Sequence, residues 1–148
     1  MNRSVEILIH NDISEIAVVR DALEQLGNEF SVPMRAITQL QVALDEVVSN
    51  VVKYSWPDDE KHKLLVRITV DAAGVVLDIY DDGQPFDPRD APEPVAPPAG
   101  KRPRPGGIGI HMIKQLVDDL AYERIDGRNH TSLKKKCAIG AVYTEDKQ

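Results

Sequence analysis

Glu46 and Asn50 stand four residues apart in a stretch of helical periodicity, so their side chains are neighbours on one helix surface. An asparagine oxygen can ligate Mg²⁺, which takes oxygen donors and keeps several waters. A carboxylate beside it can accept a proton from an attacking hydroxyl. Lys53, one turn further on, adds a cation suited to phosphate. The plain alternative for such a pair is a solvated helix face.

Asp81 carries a second kind of chemistry. Val75, Leu77, Ile79 and Asp81 share one parity of an alternating strand, so all four point to one face. The first three are apolar, which makes that face the core and sets a carboxylate on the buried side at the strand's end. A buried carboxylate needs a hydrogen-bond donor. That donor is either a group of the chain itself, such as a backbone amide, or the amino group of a ligand. Gly83 permits close backbone approach or a positive φ. Asp82 has the opposite parity and is expected to face solvent.

Gly106-Gly107-Ile108-Gly109 opens a predicted helix. Glycines at a helix amino end leave backbone amides free for an anion. They also make a flexible hinge, the plainer reading. No Gly-Lys-Ser/Thr follows, so the run is not a Walker A loop, and the preceding strand and spacing do not suit a dinucleotide-binding turn. Lys101, Arg102 and Arg104 precede the glycines; they read as a solvated basic patch or as charge stabilisers for phosphoryl transfer.

The elements that must position these residues follow from periodicity. Val5 to His10 alternates as a short strand. A helix with Ile16, Val19, Leu23 and Leu26 on one stripe follows, with Gly27 as its stop. A long helix starts near Pro33 and runs to about Ser55, its core face Leu44, Val47, Val48 and Val51. Leu64–Val70 and Val75–Ile79 alternate around a turn at 71–74. Residues 85 to 105 hold eight of the ten prolines, so this segment is neither helix nor central strand. Loops of that length in a compact domain are commonly lids or disordered. Gly109 to Leu120 reads as a third helix, and 121–125 with 130–138 as a closing hairpin turned by Asp126-Gly127-Arg128-Asn129. The expectation is one α/β (α+β) domain over residues 1–148: a two-layer sandwich with a mixed, mostly antiparallel sheet covered on one face by helices.

Composition narrows the function classes. The formal charge of −6 speaks against non-specific nucleic-acid or anionic-membrane binding. No apolar run approaches the ~20 residues of a membrane-spanning helix. The amino terminus lacks the apolar core of a signal peptide. The lone Cys137 forms no internal disulfide and reads as core filler in a strand, which suits a reducing cytoplasm. The four histidines show no metal-ligand spacing.

The ordered set Glu46-x-x-x-Asn50-x-x-Lys53-Tyr54, Asp81-x-Gly83-x-Pro85 and Gly107-x-Gly109 resembles the ATP-binding fold shared by gyrase-type ATPases, histidine kinases and bacterial anti-sigma-factor kinases. Within that superfamily, Asp81-Asp82-Gly83-Gln84-Pro85-Phe86-Asp87-Pro88 is similar to the stand-alone serine kinases of the RsbW and SpoIIAB type. Pro85 departs from the Asp-x-Gly-x-Gly form common in histidine kinases. The resemblance implies ATP and Mg²⁺ as ligands. It gives Asn50 the metal, Glu46 the role of general base, and Asp81 the adenine amino group. Gly83, Lys53 and Arg104 would belong to the ATP site, with Gly107, Ile108 and Gly109 wrapping the phosphates and Thr131 near adenine. A proline-rich ATP lid would span about 85–106. The implied activity is that of a protein serine/threonine kinase in a partner-switching circuit, which phosphorylates a small antagonist protein and binds a sigma factor or similar regulator, and which dimerises in many family members. A histidine kinase would need a phosphoacceptor histidine on a preceding hairpin, whereas only His10 lies upstream, on a strand. The competing reading is a non-catalytic switch module that acts by protein contact alone.

Overall fold

Strict alternation of apolar and polar residues builds the centre of the molecule. In a computed structural model that describes residues 2–92, 99–100 and 109–139, β2 (Lys63–Asp71) and β3 (Gly74–Asp81) pair as an antiparallel hairpin. Leu64, Val66, Ile68 and Val70 fall on the same side as Val75, Leu77 and Ile79, and all seven are buried. β1 (Asn2–His10) pairs with β2, and β5 (Arg128–Lys136) pairs with β3 and with β4 (Asp119–Ile125). The sheet order is β1-β2-β3-β5-β4. Every pairing is antiparallel, so the mixed sheet left open by the sequence resolves to a fully antiparallel one.

Among the described residues three α-helices complete the fold: α1 (Ile16–Glu29), α2 (Met34–Tyr54) and α3 (Ile110–Leu116). Pro33 caps α2, where its fixed φ and missing N–H cost nothing. Ile37, Leu40, Leu44, Val47 and Val51 of α2 are buried in one core with Val19 and Leu23 of α1 and the apolar sheet face. Each such side chain contributes roughly 1.5–3 kcal/mol of transfer free energy. The result is the expected α+β arrangement of one antiparallel sheet with its helices.

Three local expectations need correction. Gly27 does not stop α1, which runs on to Glu29. It is buried, and a Cβ there would stand 2.7 Å from Ile37 Cδ1, so its missing side chain lets α1 approach α2. The third helix is shorter than its periodicity suggests. Val117 is already extended and Asp118 N–H donates to Lys134 C=O at 2.8 Å, so sheet pairing takes over the backbone there. Leu120, expected on that helix, pairs with Leu133 in the β4–β5 ladder. Finally, the last hairpin turns on two residues and not four. Asp126 and Gly127 both have positive φ, 51° and 76°, as a tight primed turn requires. Cys137 lies just past β5, half-buried, and burial pushes its thiol up.

Candidate functional site

The sheet's core side changes character at one end. Along β3 the buried residues run Leu77, Ile79, Asp81; along β5, paired opposite them, run Leu133, Thr131, Asn129. An apolar stripe therefore ends in a buried polar patch. Asp81 is 3% exposed and Asn129 1% exposed. Asp81 Oδ1 accepts from Gly83 N–H at 2.9 Å and from Asn129 Nδ2 at 2.9 Å. Burial raises the carboxyl's pKa above the ordinary value. The Asn129 amide, the Gly83 N–H and the Ser55 hydroxyl nearby oppose that shift without cancelling it. The Ser55 hydroxyl is itself fully buried and makes no well-formed hydrogen bond among the described residues.

The turn after Asp81 is fastened to the end of α2. Gln84 N–H donates to Ser55 C=O at 2.7 Å, and Gln84 Nε2 donates to Tyr54 C=O at 2.8 Å. These bonds satisfy carbonyls that a helix end leaves without intrahelical partners. Tyr54 and Phe86 rings pack at 5.1 Å. Gly83 is in contact with Ser55 so closely that no side chain fits there. Arg124 of β4 donates to Gly83 C=O at 2.7 Å. Asp82 is exposed, as its parity predicts, and accepts from Trp56 Nε1 at 3.3 Å.

Back along α2 lie Asn50, one and a half turns before Ser55, and Glu46, about one turn further. Asn50 is five residues from Ser55, about 7.5 Å of helix rise. Both are buried, at 4% and 2% exposure, and Asn50 Nδ2 donates to Glu46 Oε2 at 3.2 Å. The solvated-face alternative for this pair is thereby removed. A carboxylate only accepts, so it fixes the amide with nitrogen inward and leaves the oxygen as the end that can meet a cation. Among the described residues no three of His, Cys, Asp and Glu converge as a metal cage. A divalent ion here would rest on Asn50 and on oxygens brought by its ligand, a donor set that suits Mg²⁺.

Residues 9–135 match the family model described as the histidine kinase-like ATPase domain. The chain belongs to that family. Glu46, Asn50, Asp81, Gly109 and Thr131 all fall inside the matched residues. The histidine kinase-like ATPase domain is similar to a serine/threonine-protein kinase, BtrW, of Bordetella bronchiseptica, at 28% identity over 94 residues, which is 64% of this chain and 66% of that one. It is similar to the serine-protein kinase RsbW of Oceanobacillus iheyensis at 26% over 109 residues, 71% and 69% of the two chains. The crystal structure of the RsbU and RsbW domains of a Mycobacterium tuberculosis protein shares the fold, with a TM-score of 0.61 and 18% identity. That match covers 94% of this chain and 34% of the mycobacterial one. The domain thus spans slightly less than two thirds of the Bordetella kinase and about a third of the mycobacterial chain.

The structure of this ATPase domain brings together five of the residues its sequence singles out. Glu46 and Asn50 touch, Asp81 and Gly83 sit in the turn fastened to the same helix, and Thr131 is buried two residues from Asn129. Gly109 caps α3 at φ 85°, a left-handed conformation that favours glycine. Lys53 is exposed in the last turn of α2. Lys101, Arg102, Arg104, Gly106, Gly107 and Ile108 lie outside the described residues, as does most of the segment expected to be a lid. Its start is described: Pro88–Asp90 forms one 3-10 turn capped by Asp87, whose carboxylate pairs with Arg89 at 2.7 Å.

Asn129 and Ser55 are the residues that sequence reasoning misses. A four-residue turn would leave Asn129 outside the strand. The signal for its true place is present, since Asp126-Gly127 is the preferred pair of a two-residue primed turn. With the turn shortened, Asn129 joins Thr131 and Leu133 on the core parity. Ser55 has no signal of its own, because its role depends on where the β3 turn lands.

Proposed function

We propose that this chain is an ATP- and Mg²⁺-dependent protein serine/threonine kinase and anti-sigma-type regulator of a bacterial partner-switching circuit. The observation that carries the proposal is the buried Glu46–Asn50 pair on α2, whose Asn50 stands one and a half turns from Ser55, where the turn that holds Asp81 is fastened. A buried carboxylate beside an amide oxygen that can take a cation is the pairing that a general base and a metal ligand need, which favours catalysis over binding alone. The similarity to chains described as serine-protein kinases supports the same class.

In this reading the buried Asp81 accepts from the amino group of adenine, and Thr131 and Ser55 add hydroxyls beside it. Asn50 would hold Mg²⁺ through its amide oxygen, and the ion supplies charge neutralisation on the phosphates. Glu46 takes the proton of the attacking serine or threonine hydroxyl as that oxygen bonds to the γ-phosphorus and ADP departs. Transfer of this kind is mostly positioning and charge stabilisation. Gly107, Ile108, Gly109 and Arg104 would close over the phosphates as part of a lid at about 85–106, and Lys53 would contact them from α2. The partners are a small antagonist protein as acceptor and a sigma factor or similar regulator, with dimerisation of this chain as a further expectation.

Among the described residues, no helix is long and apolar enough to cross a membrane.

The test is incubation of the purified chain with γ-labelled ATP, Mg²⁺ and the small proteins encoded beside it. Label transferred to a serine or threonine of one of them is the expected result. ATP binding without transfer to any acceptor favours the non-catalytic switch; no ATP binding at all removes the kinase reading.

A further inference from the structure

Asp81 is held by a residue that nothing in the sequence motif includes. The β3–β5 register sets Asn129 opposite Asp81. Asn129 Nδ2 donates to Asp81 Oδ1 at 2.9 Å and to Gln84 C=O at 2.8 Å. Its Oδ1 accepts from Phe86 N–H at 3.2 Å and from the Tyr122 hydroxyl. Both amide hydrogens and both oxygen lone pairs are therefore used. Flipping the amide would set its oxygen against Asp81 Oδ1 and Gln84 C=O, and its NH₂ against the Phe86 N–H. The orientation is locked in a fully buried site, where an unpaired polar group is costly.

The lock has a consequence for Asp81. Gly83 N–H lands on the same oxygen, Oδ1, that Asn129 occupies. Two donors on Oδ1 pin the carboxylate's χ2 and turn Oδ2 to the other side. A carboxylate without such a clamp can rotate and offer either oxygen.

We infer that Asn129 is the positioning residue that presents Oδ2 of Asp81 as a fixed acceptor, and that it thereby sets the site's preference for a purine carrying a 6-amino group. This rests on the nucleotide reading of the site given above. A 6-amino group donates to the fixed oxygen. A 6-oxo group, as in guanine, would oppose one oxygen with another whichever oxygen of the ionised carboxylate faces it, and the Asn129 and Gly83 donors favour that ionised form. Asn129 touches no reacting atom and acts only through Asp81.

The experiment compares two nucleotides on three chains. Wild type, Asn129→Ala and Asn129→Asp are titrated with ATP and with purine riboside triphosphate, which is ATP without its 6-amino group. Folding of each variant is checked by circular dichroism and by the emission of Trp56, the sole tryptophan. Asn129→Asp keeps the shape of the side chain and replaces the donor with a second carboxyl oxygen facing Asp81 Oδ1, so it fills the space that Asn129→Ala leaves empty and remains informative where that variant unfolds. The expected result is a wild type that prefers ATP by about tenfold, the worth of one well-placed hydrogen bond, and variants in which that preference falls to near unity. Variants that lose affinity for both nucleotides in parallel, or that keep the wild-type ratio, overturn the inference and reduce Asn129 to a structural tie. A wild type that binds neither nucleotide overturns the site reading itself, and the inference with it.

Discussion

Gly83 lies directly against Ser55: a Cβ on Gly83 would stand 2.3 Å from the Ser55 carbonyl oxygen and 2.6 Å from its Cβ. The same carbonyl accepts from Gln84 N–H at 2.7 Å. The end of α2 and the turn after Asp81 are thus one unit, and the glycine is required for its closeness to another backbone rather than for a positive φ. Gly83→Ala must push the turn off the helix. It should cost about 3 kcal/mol, the upper end for overpacking, read as a lowered midpoint in urea unfolding, and it should weaken ATP binding beyond what the lost stability explains. An alanine variant of wild-type stability would show that the turn relaxes without leaving α2.

Asp81 joins stability and ligand binding with opposite signs. Its pKa is raised in the folded chain, first by burial. The native state therefore holds the proton more tightly than the unfolded state, and by linkage the favourable contribution of the protonated form is present below the ordinary carboxyl value of 3.8 and is lost as pH rises through the raised value. Asp81→Asn keeps an oxygen for Gly83 N–H and Asn129 Nδ2 and carries no charge. It should be at least as stable as wild type at pH 7, with any gain shrinking to nothing below about pH 4, while its ATP affinity falls. Thermal unfolding of both chains from pH 3.5 to 7.5 checks the sign. A variant less stable than wild type at neutral pH contradicts it.

Acidification should act on the wild-type site in the matching direction. Protonated Asp81 donates where ionised Asp81 accepts, so ATP affinity should decline as pH falls, beginning above the usual carboxylate range because burial has raised the group. Asp81→Asn should show no such decline between pH 7.5 and 5. Titration with a fluorescent ATP analogue across that range separates the two.

Glu46 and Asn50 touch, yet the proposed roles predict different losses. Glu46→Gln keeps a side chain of the same size beside Asn50. It should bind Mg²⁺ATP close to wild type and lose phosphotransfer by about 10²–10⁴-fold, the usual worth of a general base. Asn50→Ala should lose the Mg²⁺-dependent part of ATP binding. Transfer at wild-type rate by Glu46→Gln would remove Glu46 from the chemistry.

Leu44 is fully buried in the middle of α2, between Leu40 and Val47 of the same apolar stripe. Leu44→Ala should cost about 2–5 kcal/mol, measured by urea unfolding. Because Leu44 precedes Glu46 on the same helix, part of any loss in activity should return when the chain is assayed at lower temperature, where the variant is folded.

Much of this molecule is legible in local patterns of residues. Alternation in β2 and β3 and the 3.6-residue period of α1 and α2 are written in which residues repeat. They define the layer arrangement, and strand parity alone sets Asp81 on the buried side. The same logic fails over 117–120, where one run of apolar residues satisfies a helical period and a strand equally well. There the Lys134 carbonyl, supplied by a distant strand, decides the outcome. Glu46 and Asn50 illustrate the limit differently: their mutual spacing is local, but their burial depends on what covers that face.

By itself, then, the sequence determined the order of the elements outside 117–120, the core faces and the pairing of Glu46 with Asn50, because each depends on residues within a few positions of one another. Only the tertiary structure decided that Gly83 packs on Ser55, which fastens the turn of Asp81 to the helix of Asn50, and that Asn129 clamps Asp81 across β3 and β5. Those contacts join residues 28 and 48 positions apart. Their geometry is fixed by register and close packing, neither of which any single stretch of chain contains.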